Sequence, residues 1–273
     1  MTEGDQLDLG DLMPRPFGPS GSSFAGLLSD PVVPAGGSGG LGDRVVDGTT
    51  VLALRFADGV VVAGDRRATA GNMISRTDMR KVFPADRHSA VAIAGAAGPA
   101  MEMARLFATE LEHYEKVEGE VLSLEGKSNR LAGMVRAHLP MAMRGMVVVP
   151  LLAGVDPHSG EPGIHEYDPI GGRYLARRFA VSGSGGVVAA QTLRHRFDPR
   201  ADEAAAATVA VEALFDAAEQ DSATGGPDLV RRIYPIVAVI DGDGYRELEP
   251  EAVAAIVDEV VAAHRERVDR DQA

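Results

Sequence analysis

Cysteine is missing from all 273 residues, so the chain can form no disulfide and no cysteine-ligated zinc site, which fits a reducing compartment. Basic charge is in deficit. Lys and Arg number 27 against 40 Asp and Glu, the net charge is -13, and no basic cluster offsets it. A nucleic-acid partner is therefore not expected. Long apolar runs are lacking too: MVVVPLLAGV (146–155) is interrupted by Pro150 and is too short to cross a bilayer. The acidic start, MTEGDQLDLG, lacks the positive charge of a signal peptide. No membrane association is expected, and the expected location is the cytoplasm. The seven histidines (His88, His113, His138, His158, His165, His195 and His264) are scattered without any compact metal signature. No metal and no cofactor is expected, and no internal repeat is seen.

What is present changes character at residue 49. Residues 1–48 hold 11 Gly and 5 Pro, with seven acidic residues against Arg15 and Arg44. Such a segment cannot bury enough apolar surface to offset its ordering entropy, so it is expected to be disordered. From Thr49 onward, TVLALRF (50–56) and VVVAG (60–64) flank Ala57-Asp58-Gly59, the pattern of a compact hairpin. SAVAIAG (89–95) predicts a third strand. Helices follow over Ala100 to about Tyr114 and over Leu122 to His138. MVVVPLLAGV predicts a long strand with Pro150 at an edge or bulge.

Further strands are predicted near IHEYD (164–168), GRYLARRFAVSG (172–183) and YPIVAVI (234–240), with helices over Gly186–Arg194, Ala201–Glu219 and Pro250–Arg267. Strands and helices do not alternate as βαβ units. The pattern favours an α+β layered domain with antiparallel sheets over a doubly wound nucleotide-binding fold.

Two motifs mislead. GGSGG (36–40) matches G-x-S-x-G, but a serine nucleophile elbow needs a strand before it and a helix after it. GSGG (183–186) resembles a dinucleotide loop, yet Val188 occupies the third glycine position. The hairpin is more informative. It brings residues near Thr49 within a few positions of Asp65 on the returning strand. A threonine, an aspartate and, 16 residues later, Lys81 could gather at one strand end.

Gly48-Thr49-Thr50-Val51, GDRRATAG (64–71), MRKVF with Lys81, AIAGAAG (92–98), VSGSG (181–185) and DSATGG (221–226) resemble, in order and spacing, the proteasome β-subunit family. The resemblance spans Thr49 to the C-terminus, and the glycine-rich leader and absent cysteine are similar to its actinobacterial branch. It implies a four-layer α-β-β-α sandwich of two antiparallel sheets, the N-terminal-nucleophile hydrolase fold. It also implies a domain over 49–273 preceded by a propeptide, 1–48, removed by autocatalytic cleavage between Gly48 and Thr49.

By the same resemblance Thr49 is the nucleophile. A threonine hydroxyl needs a base, and the α-amine freed on the same residue can serve. Lys81 would keep that amine neutral, and Asp65 would hold Lys81 by a charge-assisted hydrogen bond. Gly95 N–H is implied as the oxyanion donor, with Ser184, Asp221 and Thr224 hydrogen-bonding around the amine. Many members have serine where Thr224 stands. The implied substrate pocket involves Ala68, Thr69, Met79, Phe83, Ile93, Ala97 and Met101. Its lining is apolar apart from Thr69 and carries no acid, so cleavage after large hydrophobic residues is expected.

The implied assembly is a four-ring barrel. Stacked homo-heptameric β rings are enclosed by rings of separate α subunits, and an ATPase ring feeds substrates tagged with a small ubiquitin-like protein. Two alternatives are weighed. A bacterial two-component threonine protease of six-membered rings also begins Thr-Thr, but 225 residues after Gly48 is long for it. A non-catalytic ring-forming β subunit would be expected to lack the nucleophile, the base environment or the cleavable glycine.

Overall fold

A computed structural model describes residues 48–71 and 73–271, so the leader expected over 1–48 lies outside the described residues except for Gly48. The chain runs through β1 (Thr50–Arg55), β2 (Val60–Gly64), β3 (Ala68–Ala70), β4 (Met73–Arg76), β5 (Val82–Asp86) and β6 (Ser89–Gly95). Helices α1 (Ala97–Glu118) and α2 (Leu124–Ala142) follow, then β7 (Val148–Val155), β8 (Pro162–Tyr167), β9 (Arg173–Ala176) and β10 (Phe179–Gly183). The remainder is α3 (Gly186–Arg196), α4 (Glu203–Gln220), β11 (Ile236–Asp241), β12 (Gly244–Glu247) and α5 (Pro250–Asp271).

The first hairpin forms as its pattern predicts. Val51 pairs with Gly64 and Arg55 with Val60, and Phe56 N–H closes the turn on the Gly59 carbonyl at 3.0 Å. Two five-stranded antiparallel sheets result, ordered β10-β1-β2-β11-β12 and β5-β6-β7-β8-β9, beside a small β3-β4 ribbon.

Period-two alternation sends successive side chains to opposite faces and sets the layering. Leu52 and Leu54 of β1, with Val61, Val237 and Val239, meet Leu193, Leu214 and Val257 of α3, α4 and α5. Val51, Ala53, Val60 and Val62 meet Ala92, Leu151 and Ala153 of the second sheet. The far face of that sheet, Val91, Ile93 and Leu152, packs on Phe107 and Leu111 of α1 and Leu131 and Val135 of α2. The layers are therefore α-β-β-α, as expected. Both faces of the central strands are buried, which explains their near-continuous apolar sequences.

Several elements differ from expectation. GRYLARRFAVSG is two strands in different sheets, divided at the exposed pair Arg177-Arg178. Short β3, β4 and β12 and the proline-containing β5 were not predicted; β4 is exposed throughout and carries no alternation to read. Pro150 lies inside β7, opposite Ile93. Ile93 donates its N–H to Lys81 O on the other side, so the imide nitrogen of Pro150 faces the β8 flank. Pairing there begins only at Leu151, so no ladder bond is lost. Helix α2 continues past His138 to Ala142 with Pro140 inside it. Among the described residues no helix is long and apolar enough to cross a membrane.

His165 of β8 is 6% exposed, and its buried Nδ1 has no hydrogen-bond partner. Burial, reinforced by the charge of Arg173, pushes its pKa down to about 4. The unfolded chain protonates this ring near pH 6.5 while the folded chain does not, so stability falls as pH drops from 6.5 towards 4. The expected loss is about 3 kcal/mol. Urea unfolding of His165→Leu is expected to show a flatter pH dependence over this window; an unchanged slope would assign the effect to other groups.

Candidate active site

Asp65 is the first residue beyond β2, and its side chain is fully buried. It accepts from four donors. Oδ1 takes the Thr50 N–H at 2.8 Å and Lys81 Nζ at 2.7 Å; Oδ2 takes the Arg67 N–H at 2.9 Å and the Gly225 N–H at 2.8 Å. A carboxylate has about four such acceptor positions, so every one is filled, and these bonds with the lysine charge offset its desolvation. Lys81, 1% exposed, immediately precedes β5, so the ion pair joins the two sheets. Its ammonium also lies 3.5 Å from the Gly48 carbonyl oxygen.

The Gly48-Thr49-Thr50 segment threads between three loops. Gly48 N–H donates to Thr69 Oγ1 at 3.1 Å, and the Thr49 carbonyl accepts the Ser184 N–H at 2.8 Å. Thr49 itself is 3% exposed. A Cβ on Gly48 would fall 1.7 Å from Ala223 Cβ. Gly183 adopts φ +104, and a Cβ there would reach the Thr49 carbonyl oxygen. The GSGG stretch that resembles a dinucleotide loop is thus occupied from within: Ser184 and Gly185 N–H groups bind Thr49 O and Thr50 Oγ1.

Asp221 caps the end of α4 from the opposite side. Its Oδ2 accepts the Ser184 hydroxyl at 2.5 Å and the Thr224 hydroxyl at 2.6 Å, and its Oδ1 accepts the Ala223 N–H. Burial pushes the Asp221 pKa up. The Ser184, Thr224 and Ala223 hydrogen bonds and the Lys81 charge outweigh this and leave it below the ordinary value. Gly95 ends β6 at φ +105. Ile93, two residues earlier, donates to Lys81 O, so strand alternation turns the Gly95 N–H to the same edge, beyond the start of β5.

Thr49, Asp65, Lys81, Ser184, Asp221 and Thr224 therefore belong to one bonded cluster, and Gly95 stands at its edge. Of the pocket residues, Thr69 touches Gly48 directly, with Ala68 before it on β3. Met79 is anchored by its N–H to Arg66 O. Phe83, Ile93 and Met101 share the core cluster beneath α1, and Ala97 opens that helix.

A proteasome-subunit family model matches residues 45–230. The chain belongs to the proteasome subunit family. The proteasome subunit beta of Acidimicrobium ferrooxidans is 54% identical over 250 residues, covering 90% of this chain and 92% of that one. That of Acidothermus cellulolyticus is 48% identical over 262 residues, covering 92% and 90%. That of Streptomyces griseus is 50% identical over 226 residues, covering 83% and 80%. Family membership bears out the resemblance carried by the six sequence blocks, and with it the layered sandwich.

Some contributors escaped sequence reading. Arg67 binds the Ser222 and Thr224 carbonyls at 3.0 and 3.2 Å and so fastens the loop carrying Gly225. Both residues lie inside recognised blocks, but their roles depend on a contact across about 160 positions and leave no local pattern. Asp216, Glu219 and His264 also bring their ligand atoms within 4.8 Å of one another. His264 Nε2 already bonds Asp216 Oδ1 at 2.7 Å, and its ring lies on Phe215. This group ties α5 to α4.

Breaking the buried pair from one side, by Asp65→Ala or Lys81→Ala, is expected to cost about 3–5 kcal/mol, because the surviving charge is left unpaired. The double variant should cost less than the sum of the two. Denaturant unfolding checks this; additive losses would mean that the two charges are not coupled.

Proposed function

We propose that the chain is a catalytic β subunit of a proteasome core particle, a threonine-type endopeptidase activated by cleavage of its own Gly48–Thr49 bond. The observation that carries this reading is the buried Lys81–Asp65 pair with its ammonium 3.5 Å from the carbonyl oxygen of that bond. A purely ring-forming subunit could use the pair to join the sheets but would gain nothing from placing the ammonium beside that carbonyl.

Activation begins when Thr49 Oγ1 attacks the Gly48 carbonyl carbon. The C–N bond breaks, an ester links Gly48 to Thr49 Oγ1, and the hydroxyl proton passes to the departing nitrogen, which becomes the free α-amine. Water then hydrolyses the ester, leaving the Gly48 carboxylate and a free Thr49 hydroxyl. The lysine charge favours negative charge on the Gly48 oxygen in this step. Glycine at 48 suits the approach, because Ala223 leaves no room for a side chain.

In the mature form the Thr49 amine takes the hydroxyl proton as the oxygen attacks the substrate carbonyl and passes it to the leaving amine. Water, giving a proton to the same amine, then hydrolyses the acyl ester, releasing the carboxylate product and restoring the Thr49 hydroxyl. The free α-amine has a pKa of about 7.7–8.0, and the nearby Lys81 charge lowers it, so it is available as a base near neutral pH. The Gly95 N–H stabilises the tetrahedral oxyanion, a contribution of about 3 kcal/mol for one such donor.

The partners under this reading are α subunits, with seven-membered β rings inside a four-ring barrel. An ATPase ring delivers unfolded proteins carrying a ubiquitin-like tag, and the setting is the cytoplasm. The apolar side chains of Ala68, Met79, Phe83, Ile93, Ala97 and Met101 favour a large hydrophobic residue before the cut bond. Co-expressed with an α subunit, Thr49→Ala is expected to remain uncut and inactive. The wild-type protein should form a boronate or epoxyketone adduct at Thr49, read by peptide mass. Normal processing of Thr49→Ala would overturn the scheme. Reporters ending in Tyr or Leu should turn over faster than one ending in Arg, and the reverse order would reject the assigned pocket.

A further inference from the structure

Thr50 is fully buried at the start of β1, where valine would satisfy both the strand and the packing. Its hydroxyl therefore needs a reason, and the hydrogen bonds around it supply one. The Gly185 N–H donates to Thr50 Oγ1 at 3.1 Å. Thr50 Oγ1 lies 2.6 Å from Thr224 Oγ1, and Thr224 Oγ1 lies 2.6 Å from Asp221 Oδ2. An ionised carboxylate can only accept, so the Thr224 proton points to Asp221. Thr224 must then accept from Thr50, and the direction of the whole row is determined: Gly185 N–H to Thr50, Thr50 to Thr224, Thr224 to Asp221.

A second observation is independent of proton placement. Gly185 has φ -80, open to any residue, so backbone freedom does not explain the glycine. A Cβ there would stand 2.5 Å from Thr50 Oγ1 and 2.7 Å from Thr224 Oγ1. The missing side chain makes room for the two hydroxyls. The main chain of Thr50 meanwhile donates to Asp65 Oδ1 and accepts from the Asp65 N–H at 3.1 Å. One residue thus connects to both carboxylates that flank Thr49, to Asp65 directly through its backbone and to Asp221 through its side chain by way of Thr224.

We propose that Thr50 is a positioning residue for the Thr49 peptidase site: its hydroxyl aims Thr224 at Asp221 and so holds the Ser184–Asp221 pair in place against the Thr49 main chain. This rests on Thr49 being the nucleophile. It also gives the threonine at 224 a purpose beyond its hydroxyl, since its second β-substituent restricts the χ1 rotation that would break the row. Without the Thr50 hydroxyl, Thr224 still donates to Asp221, but its oxygen loses the donor that fixes it and polarises its O–H, and the Gly185 N–H loses its acceptor. The bond to Asp221 persists but is weaker and less well aimed.

The test uses the full chain assembled with an α subunit and compares wild type with Thr50→Val, Thr50→Ser and Gly185→Ala. Thr50→Val is expected to lower kcat about three- to tenfold, the worth of one hydrogen bond, with KM little changed. Thr50→Ser should restore kcat, and Gly185→Ala, which keeps every hydroxyl, should reproduce the valine defect. Self-cleavage is read in the same preparations: slowing in Thr50→Val that serine rescues supports the proposal, and equal slowing in both variants counts against it. A Thr50→Val enzyme with wild-type kcat, or a serine variant as impaired as the valine one, overturns the proposal. Boronate labelling of the wild-type particle separates the two levels. Absence of an adduct at Thr49 removes the underlying reading, whereas a labelled wild type beside an unaffected Thr50→Val rejects only the role of Thr50.

Discussion

The Asp65 carboxylate is the constraint around which the rest is arranged. A charge with no exposed surface is tolerated only when every acceptor position is filled and a counter-ion is close. Its donors come from four separate parts of the chain: Thr50 opening β1, Arg67 in the turn after β2, Lys81 before β5 of the other sheet, and Gly225 beyond α4. Satisfying one carboxylate therefore sets the height at which the sheets meet, the place of the loop after α4 and the position of Thr49. The same bonds that stabilise the buried charge aim the lysine at the Gly48–Thr49 peptide.

Close approach is the second theme, and the missing side chains carry it. Between the sheets the facing residues are mostly alanine and valine, so two ladders buried on both sides can pack tightly. Around the candidate nucleophile, Gly48, Gly183, Gly185 and Gly225 each stand where a Cβ would strike a neighbour closer than 3.0 Å. Two of these neighbours, the Thr49 carbonyl oxygen and the Thr50 hydroxyl, belong to the segment proposed to carry the chemistry. A site built this way has little freedom to relax, as suits an attacking hydroxyl that must be held in a narrow geometry.

Much of this was legible in sequence where one local pattern governed. Short β-type apolar runs in TVLALRF and VVVAG, with Ala57-Asp58-Gly59 between, located the first hairpin and hence the nearness of Thr49 and Asp65. The long helices followed from their periodicity. Lys81 was different: nothing local brings it to Asp65, and its assignment came from the resemblance of whole blocks. Patterns shorter than a few residues were silent, as with β3 and β12. The division of 172–183 between two sheets was hidden because Arg177-Arg178 reads as polar strand. Least legible were Arg67, Gly225 and the Thr50 hydroxyl, whose partners lie in other parts of the chain and exist only once the layers have closed.

The central claim is that scission next to Thr49 turns one residue into both nucleophile and base. N-terminal sequencing of the subunit, taken from a particle that cleaves peptides after co-expression with an α subunit, tests it most directly. The account predicts a chain beginning at Thr49. A fully active particle whose subunit still carries Gly48 would contradict it.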